Sequence, residues 1–168
     1  MPSSHNSSGK VTSRFRAEYI TADEHDLETI RHLWVQLNEH HHERASHFRF
    51  HYEQMTFDDR KKYFEMITST GTLRLDLARD PVTDRLVGYC VSSVSSEKNR
   101  EIESIFVEPD YRSHHIGSDL ISRALAWMDA CGVRRKRVSV DDGNEEAWKF
   151  YRKFGFYPRI TILEQKKK

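Results

Sequence analysis

Glu103-Ser104-Ile105-Phe106-Val107-Glu108-Pro109-Asp110-Tyr111-Arg112-Ser113-His114-His115-Ile116-Gly117-Ser118-Asp119-Leu120 is the stretch that decides the fold. Its first third is an apolar strand. Its middle is a short polar turn holding Arg112, and its end opens a helix. Such a turn aims successive backbone N–H groups, and the positive end of a helix dipole, at one point. That is an anion site suited to phosphate. Arg112, Ser113, His114, His115, Ile116, Gly117 and Ser118 are therefore the candidate phosphate cradle.

Downstream, Gly117, Leu120, Ile121, Ala124, Leu125 and Met128 form the buried stripe of a long helix that Gly132 closes. Val138 and Val140 mark a short strand. A strand, a crossover helix and a second strand place the two strands parallel in one sheet. Helix Glu145 to Phe154 follows, and Tyr157 to Leu163 reads as a last strand. Upstream, Thr72 to Arg79 alternates Leu73, Leu75 and Leu77 on one face. Asp80 to Asp84 is a turn, and Leu86 to Ser95 completes an antiparallel hairpin. Ser96 to Asn99 turns into strand Glu101 to Val107. Phe15 to Ile20 reads as the first strand. Thr21 and Glu24 have capping-box spacing for a helix carried by Leu27, Ile30, Trp34 and Leu37 to about His42. A second helix, set by Phe57, Phe64 and Ile67, runs from near Asp58 to before Gly71. The fold class expected is α/β, with a mixed, mostly antiparallel twisted sheet and helices on both faces.

The chain has 168 residues, which suits one domain over residues 13–165 behind a Ser-rich flexible arm, residues 1–12. Lys+Arg and Asp+Glu nearly cancel to +1, so no global field draws the protein to nucleic acid or to a membrane. No apolar run is long enough to span a bilayer, and the start lacks a secretory h-region. Cys90 and Cys131 show no disulfide or zinc pattern. Reduced, buried thiols in a cytoplasmic protein are the plain reading.

Four groups of residues could carry chemistry. Glu101 and Glu103 alternate on one face of a central strand. Burying two carboxylates there is costly, so either they meet solvent or arginine, or one of them serves as a general base. Glu103 lies closer to the cradle, but a bulge could re-aim either, and both stay open. Tyr151 sits on the apolar stripe Ala147-Phe150-Tyr151-Phe154 and taken alone is a core aromatic. Asn144, ahead of Glu145 and Glu146, reads as a helix N-cap. His40, His41, His42, His47 and His51 form a His-rich run. His47 and His51 have i, i+4 spacing, but no Cys or spaced carboxylate completes a metal site, so solvated histidines and no metal are expected.

Two motifs together carry a resemblance. Val107, Pro109, Arg112, Ile116 and Gly117 resemble the cofactor motif of the GNAT superfamily of acyl-CoA-dependent N-acyltransferases. Asn144, Ala147, Phe150, Tyr151, Gly155 and Phe156 fit that family's second motif at every spacing. His115 departs from the pattern, standing where the family usually has Gly, although His tolerates left-handed geometry better than most residues. The resemblance implies a central parallel strand pair that splays to admit acetyl-CoA, the cosubstrate. It implies pyrophosphate at Arg112 to Ser118, and backbone contacts from Ile105, Phe106 and Val107 to the pantetheine arm. It adds to Asn144 a contact with that arm, in competition with capping, and reassigns Tyr151 to the leaving thiolate. Glu103 or Glu101 would take the proton of an amine acceptor, small molecule or protein. The family often dimerises, and the C-terminal strand offers an edge for a homodimer. Two rivals stand beside this reading: a non-catalytic CoA-binding module, and a transferase for a longer acyl-CoA.

Overall fold

A computed structural model describes residues 15–95 and 100–166 of the chain. The arm expected over 1–12, the turn Ser96 to Asn99 and the last two lysines of the tail lie outside the described residues. The elements in chain order are β1 (Glu18–Ala22), α1 (Arg31–Arg44), α2 (Arg49–Gln54), α3 (Phe57–Thr68), β2 (Gly71–Arg79), β3 (Leu86–Ser95), β4 (Arg100–Val107), α4 (Ile116–Ala130), β5 (Arg137–Val138) and α5 (Glu146–Arg152). The five strands lie in the order β1-β2-β3-β4-β5. Pairings from β1 to β4 are antiparallel and β4–β5 is parallel. This is the mixed α/β sheet that the strand-helix-strand pattern demands.

Strand alternation divides the apolar residues between two cores. Leu73, Leu75, Leu77, Tyr89, Val91 and Phe106 meet Leu27, Ile30, Leu33, Trp34, Phe57 and Phe64 from the α1 and α3 side. Cys90 and Ile102 meet Ile116, Leu120, Ile121, Ala124 and Met128 of α4, together with Tyr151 of α5. Asp76 is fully buried on β2. It is satisfied by Arg74 at 2.8 Å and Arg123 at 2.9 Å, which tie the central sheet to α4. A charge on a central strand survives only with partners of this kind.

Four sequence expectations need correction. The first helix does not start from a Thr21 capping box, because Thr21 belongs to β1. Asp23 caps instead, accepting from the His25 N–H at 2.9 Å, and a 3-10 turn over Glu24–Ile30 precedes α1. The capping box belongs to α3, where Thr56 and Asp59 bond reciprocally. Second, the segment between the two expected helices, to which no element was assigned, holds a short helix, α2. Third, Tyr157 to Leu163 forms no strand. β5 pairs over only two residues and offers too short an edge to carry a further ladder. Tyr157, Ile160, Ile162 and Leu163 therefore stand 72–92% exposed. Fourth, Cys131 is exposed at the end of α4, whereas Cys90 is buried as expected.

Candidate active site

β4 runs on to Val107 while β5 ends at Val138, and the parallel pair is joined only at Glu101↔Arg137 and Ile102↔Val138. Beyond those two pairs the strands part. A cavity of about 340 Å³ opens there, within the size range of ligand sites. β4 lines it from Glu101 to Ile105, the β5 side through Asp141 and Asn144, and α5 through Tyr151. Helices α1 to α3 roof it with Trp34, His41, Tyr52, Arg60 and Tyr63. From residue 103 onward, the edge of β4 away from β3 has no strand partner. An extended ligand can therefore pair with the backbone of Ile105, Phe106 and Val107. The Phe106 side chain itself is core.

The ladder between β3 and β4 skips one residue. Val91 pairs with Ser104 and Ser92 with Ile102, so Glu103 is the extra residue of a β-bulge. Glu103 is thereby turned to the side of α3. The Ser93 hydroxyl donates to its Oε1 at 2.6 Å and the Tyr63 hydroxyl to its Oε2 at 3.3 Å. No cation within ion-pair distance neutralises it among the described residues. Burial, the largest cause, raises its pKa above the ordinary carboxylate value. Glu101 also reaches the cavity but is otherwise engaged. Ser139 donates to it at 2.6 Å, and Arg137 stands 3.5 Å away. Glu101 thus braces the two parallel strands.

Tyr151 lies across the cavity, 8% exposed, packed edge-on against Phe150 and Phe156. Burial pushes its pKa up, so the hydroxyl is a proton donor at neutral pH. Among the described residues it has no protein hydrogen-bond partner. Asn144 lines the same cavity. Its side chain does not cap α5, since the cap position is Glu145 and carries no side-chain bond. Its amide is therefore free for a ligand.

The turn from Arg112 to Ser118, the candidate anion cradle, leads directly into α4. Ser113 and His115 take φ of 71° and 64°, and His115 stands at the start of the fifteen-residue α4 without a side-chain cap. Left-handed residues in a turn of this kind are compatible with successive N–H groups facing an anion. His115 adopts the geometry that Gly would ordinarily supply. A Cβ on Gly117 would meet Phe150 at an ordinary 3.5 Å, so packing within the protein does not require Gly there. Arg112 donates Nε to the Val107 carbonyl at 3.1 Å, fastening the turn to the end of β4. Among the described residues its other guanidinium nitrogens make no hydrogen bond, and the group lies over the Phe106 ring.

Sequence reasoning missed part of the wall. His41 is not a solvated residue: its side chain is 14% exposed. Its ring stacks on Tyr52, and its Nε2 lies 3.5 Å from Asp141. Burial lowers its pKa, which keeps the ring neutral. Continuing the stripe Trp34, Leu37 by one turn would have found it. Arg60, Tyr63 and Asp141 had no such signal, because only the packing of α3 and of the loop after β5 brings them in.

The roof is fastened to the far wall. Asp142 accepts from the N–H groups of Ser46 and His47 at 3.0 and 3.1 Å, and Arg44 bonds Glu146 at 3.0 Å. Gly143, at φ +84°, presses against α1 so closely that an added Cβ would sit 2.0 Å from the Arg44 carbonyl oxygen. Gly143→Ala combines a left-handed backbone with a backbone clash. We expect a loss of about 2 kcal/mol in a denaturant melt, together with weakened ligand binding. Wild-type stability in this variant would show that the contact gives way freely.

Among the described residues, no group of three or more His, Cys, Asp or Glu could hold a metal ion. Among them, too, no helix is long and apolar enough to cross a membrane.

Comparison with known proteins agrees with the fold. The family model described as the acetyltransferase (GNAT) family matches residues 27–156. An uncharacterised N-acetyltransferase of Methanocaldococcus jannaschii is 35% identical over 72 residues, 43% of this chain. The match spans about a third of that relative, 32% of its length. Among solved structures, the fold resembles AAC(6')-Iy, an aminoglycoside N-acetyltransferase, in complex with a CoA-linked bisubstrate analogue. The TM-score is 0.66 at 19% identity, covering 91% of this chain and 99% of that one. It resembles equally the PaiA N-acetyltransferase of Thermoplasma acidophilum in complex with coenzyme A. There the TM-score is 0.66 at 18% identity, over 88% and 93% of the two chains.

Proposed function

Because the chain belongs to the acetyltransferase (GNAT) family, we propose that it moves the acetyl group of acetyl-CoA to an amine. One observation carries the reading. The cavity at the β4–β5 splay brings together an unneutralised carboxylate, Glu103, and a partnerless hydroxyl, Tyr151, beside an unpaired strand edge. Arg112 to Ser118 would hold the pyrophosphate, and the backbone from Ile105 to Val107, with Asn144, the pantetheine arm. Glu103 takes the proton that the alkylammonium must lose before it can attack. Glu101 is the second choice, because its carboxylate already bonds Ser139 and faces Arg137. The amine nitrogen then forms a bond to the thioester carbon while backbone N–H groups polarise the carbonyl oxygen. The C–S bond breaks, and Tyr151 donates to the departing thiolate.

The acceptor is a small-molecule or protein amine, and an aminoglycoside belongs in the first panel because AAC(6')-Iy acts on that class. Free Cys90 and Cys131 support a cytoplasmic location. The exposed apolar segment after α5 supports a homodimer. Light scattering is expected to give twice the 19.9 kDa monomer mass, and a monomer at working concentration rejects the dimer.

Acetyl-CoA at 100 times its Kd is expected to stabilise the fold by about 2.7 kcal/mol, raising Tm by about 5–10 °C. Arg112→Ala should blunt that rise. An unchanged melt, with no heat of binding by calorimetry, rejects the cosubstrate. Binding without turnover over a panel of amines leaves the fold as a CoA-binding module. Faster turnover of a longer acyl-CoA would replace acetyl as the group transferred.

A further inference from the structure

The bulge leaves Glu103 without a paired residue on β3, and a partly buried carbonyl in such a place is costly unless something bonds it. A single side chain answers it. The Arg60 Nη2 of α3 donates to the Glu103 carbonyl oxygen at 2.5 Å. The guanidinium is half-buried, its carbon 4.9 Å from the Tyr63 ring centre and 4.6 Å from that of Phe64. Among the described residues it makes no ion pair, although α3 carries Asp58, Asp59 and Glu65. An arginine set between two rings, with its fork spent on a main-chain oxygen, does not serve as a surface cation.

We infer that Arg60 is a positioning residue, which holds the β4 bulge through the Glu103 carbonyl and so aims the Glu103 carboxylate into the cavity. The inference rests on the proposed function, with Glu103 as the base. Two effects follow from the one contact. The bulge keeps Glu103 and Ser104 both turned to the helical side, where Glu103 meets Tyr63 and Ser104 meets Tyr89 at 2.8 Å. The positive charge also opposes the burial that raises the Glu103 pKa. The other groups that face this carboxylate are Ser93 on β3, Glu101 on β4 and Tyr63 on α3. Across the cavity stand His41 of α1, His51 and Tyr52 of α2, Asp141 and Tyr151. Arg60 is the cation among them that touches the bulge.

The test is the pH dependence of kcat/KM for Arg60→Met and Arg60→Lys, with Glu103→Gln in parallel, and acetyl-CoA binding as the check of folding. Arg60→Met is expected to lower kcat about 10- to 100-fold, the usual scale for a residue that orients a reacting group. Its KM for acetyl-CoA should stay within about twofold, since the Arg112 to Ser118 turn is not part of the cavity lining that holds Arg60. The acidic limb of the profile should move to higher pH, because the base loses a neighbouring cation. Arg60→Lys keeps the charge but not the planar fork, so it should restore the limb and only part of kcat. If Arg60→Met does not fold, Arg60→Gln, which keeps a donor without the charge, is expected to show the same limb shift. A limb in its wild-type position and kcat within twofold in the uncharged variant overturn the inference. If Glu103→Gln abolishes the limb while the Arg60 variants leave it in place, this inference alone fails. If Glu103→Gln keeps the limb, the assignment of the base fails and takes the Arg60 inference with it.

Discussion

Tyr151→Phe is expected to lower kcat by about 10²-fold or more while the protein stays folded and binds CoA as before. The substitution keeps the ring, and the ring makes all the packing contacts seen here, with Phe150, Phe156 and the α4 core. Only the hydroxyl is lost, and no protein group among the described residues depends on it. A CoA thiol has a pKa of roughly 8.5, like a free cysteine, so its departure near neutrality gains from a donor close by. Burial holds the Tyr151 hydroxyl in its protonated form, which is the form that donates. The deciding measurement is kcat across pH with a good amine acceptor. Near wild-type turnover in a folded variant would make Tyr151 a core aromatic and leave the thiolate to water.

Glu103→Gln is expected to cost about 10²-fold or more in kcat/KM near pH 7, with the deficit shrinking as pH rises toward the amine's own pKa. The same variant carries a stability signature. Because burial raises the folded pKa of Glu103, the neutral acid is the form that the fold favours. Its stabilising contribution is present at low pH and is lost as pH rises through that raised value. Gln is neutral at every pH, and the Ser93 hydroxyl can still donate to its amide oxygen. The variant should therefore match wild type in acid and gain in relative Tm above the Glu103 titration. A residue whose removal stabilises the protein while disabling it is there for chemistry. An equal loss of Tm at all pH values, with turnover kept, would assign Glu103 to structure and return Glu101 to consideration.

What could be read from the residues alone follows a physical division. Patterns that repeat along the chain were legible. The alternation of Leu73, Leu75 and Leu77 gave β2, and the stripe from Gly117 to Met128 gave α4. The strand-helix-strand order placed β4 beside β5 in parallel. The turn before α4 was legible as a turn because its signals are local, lying in seven consecutive residues. Features that depend on partners elsewhere were not. Tyr157 to Leu163 has the composition of a strand, but a strand needs an edge, and β5 supplies only two residues of one. The difference between Glu101 and Glu103 is a bulge of one residue, and it appears only when β3 is laid alongside. Asn144 could have been a cap until the helix was seen to begin beyond it. Arg60 sits in a polar run of α3 that reads as a solvated face, and only tertiary packing gives it the Glu103 carbonyl.

The clasp between the turn after α1 and the loop after β5 has a consequence for timing. The amide hydrogens of Ser46 and His47 both end on one carboxylate, Asp142, although each lies in an exposed turn. Elsewhere on such a turn these hydrogens would trade with solvent within moments. Here each is held to the far wall, so slowed exchange with deuterium would report how long the Asp142 clasp stays made. If exchange slows with CoA bound, the ligand and the closed clasp stabilise one another, and a contact made far from any reacting atom becomes part of the grip on the cosubstrate.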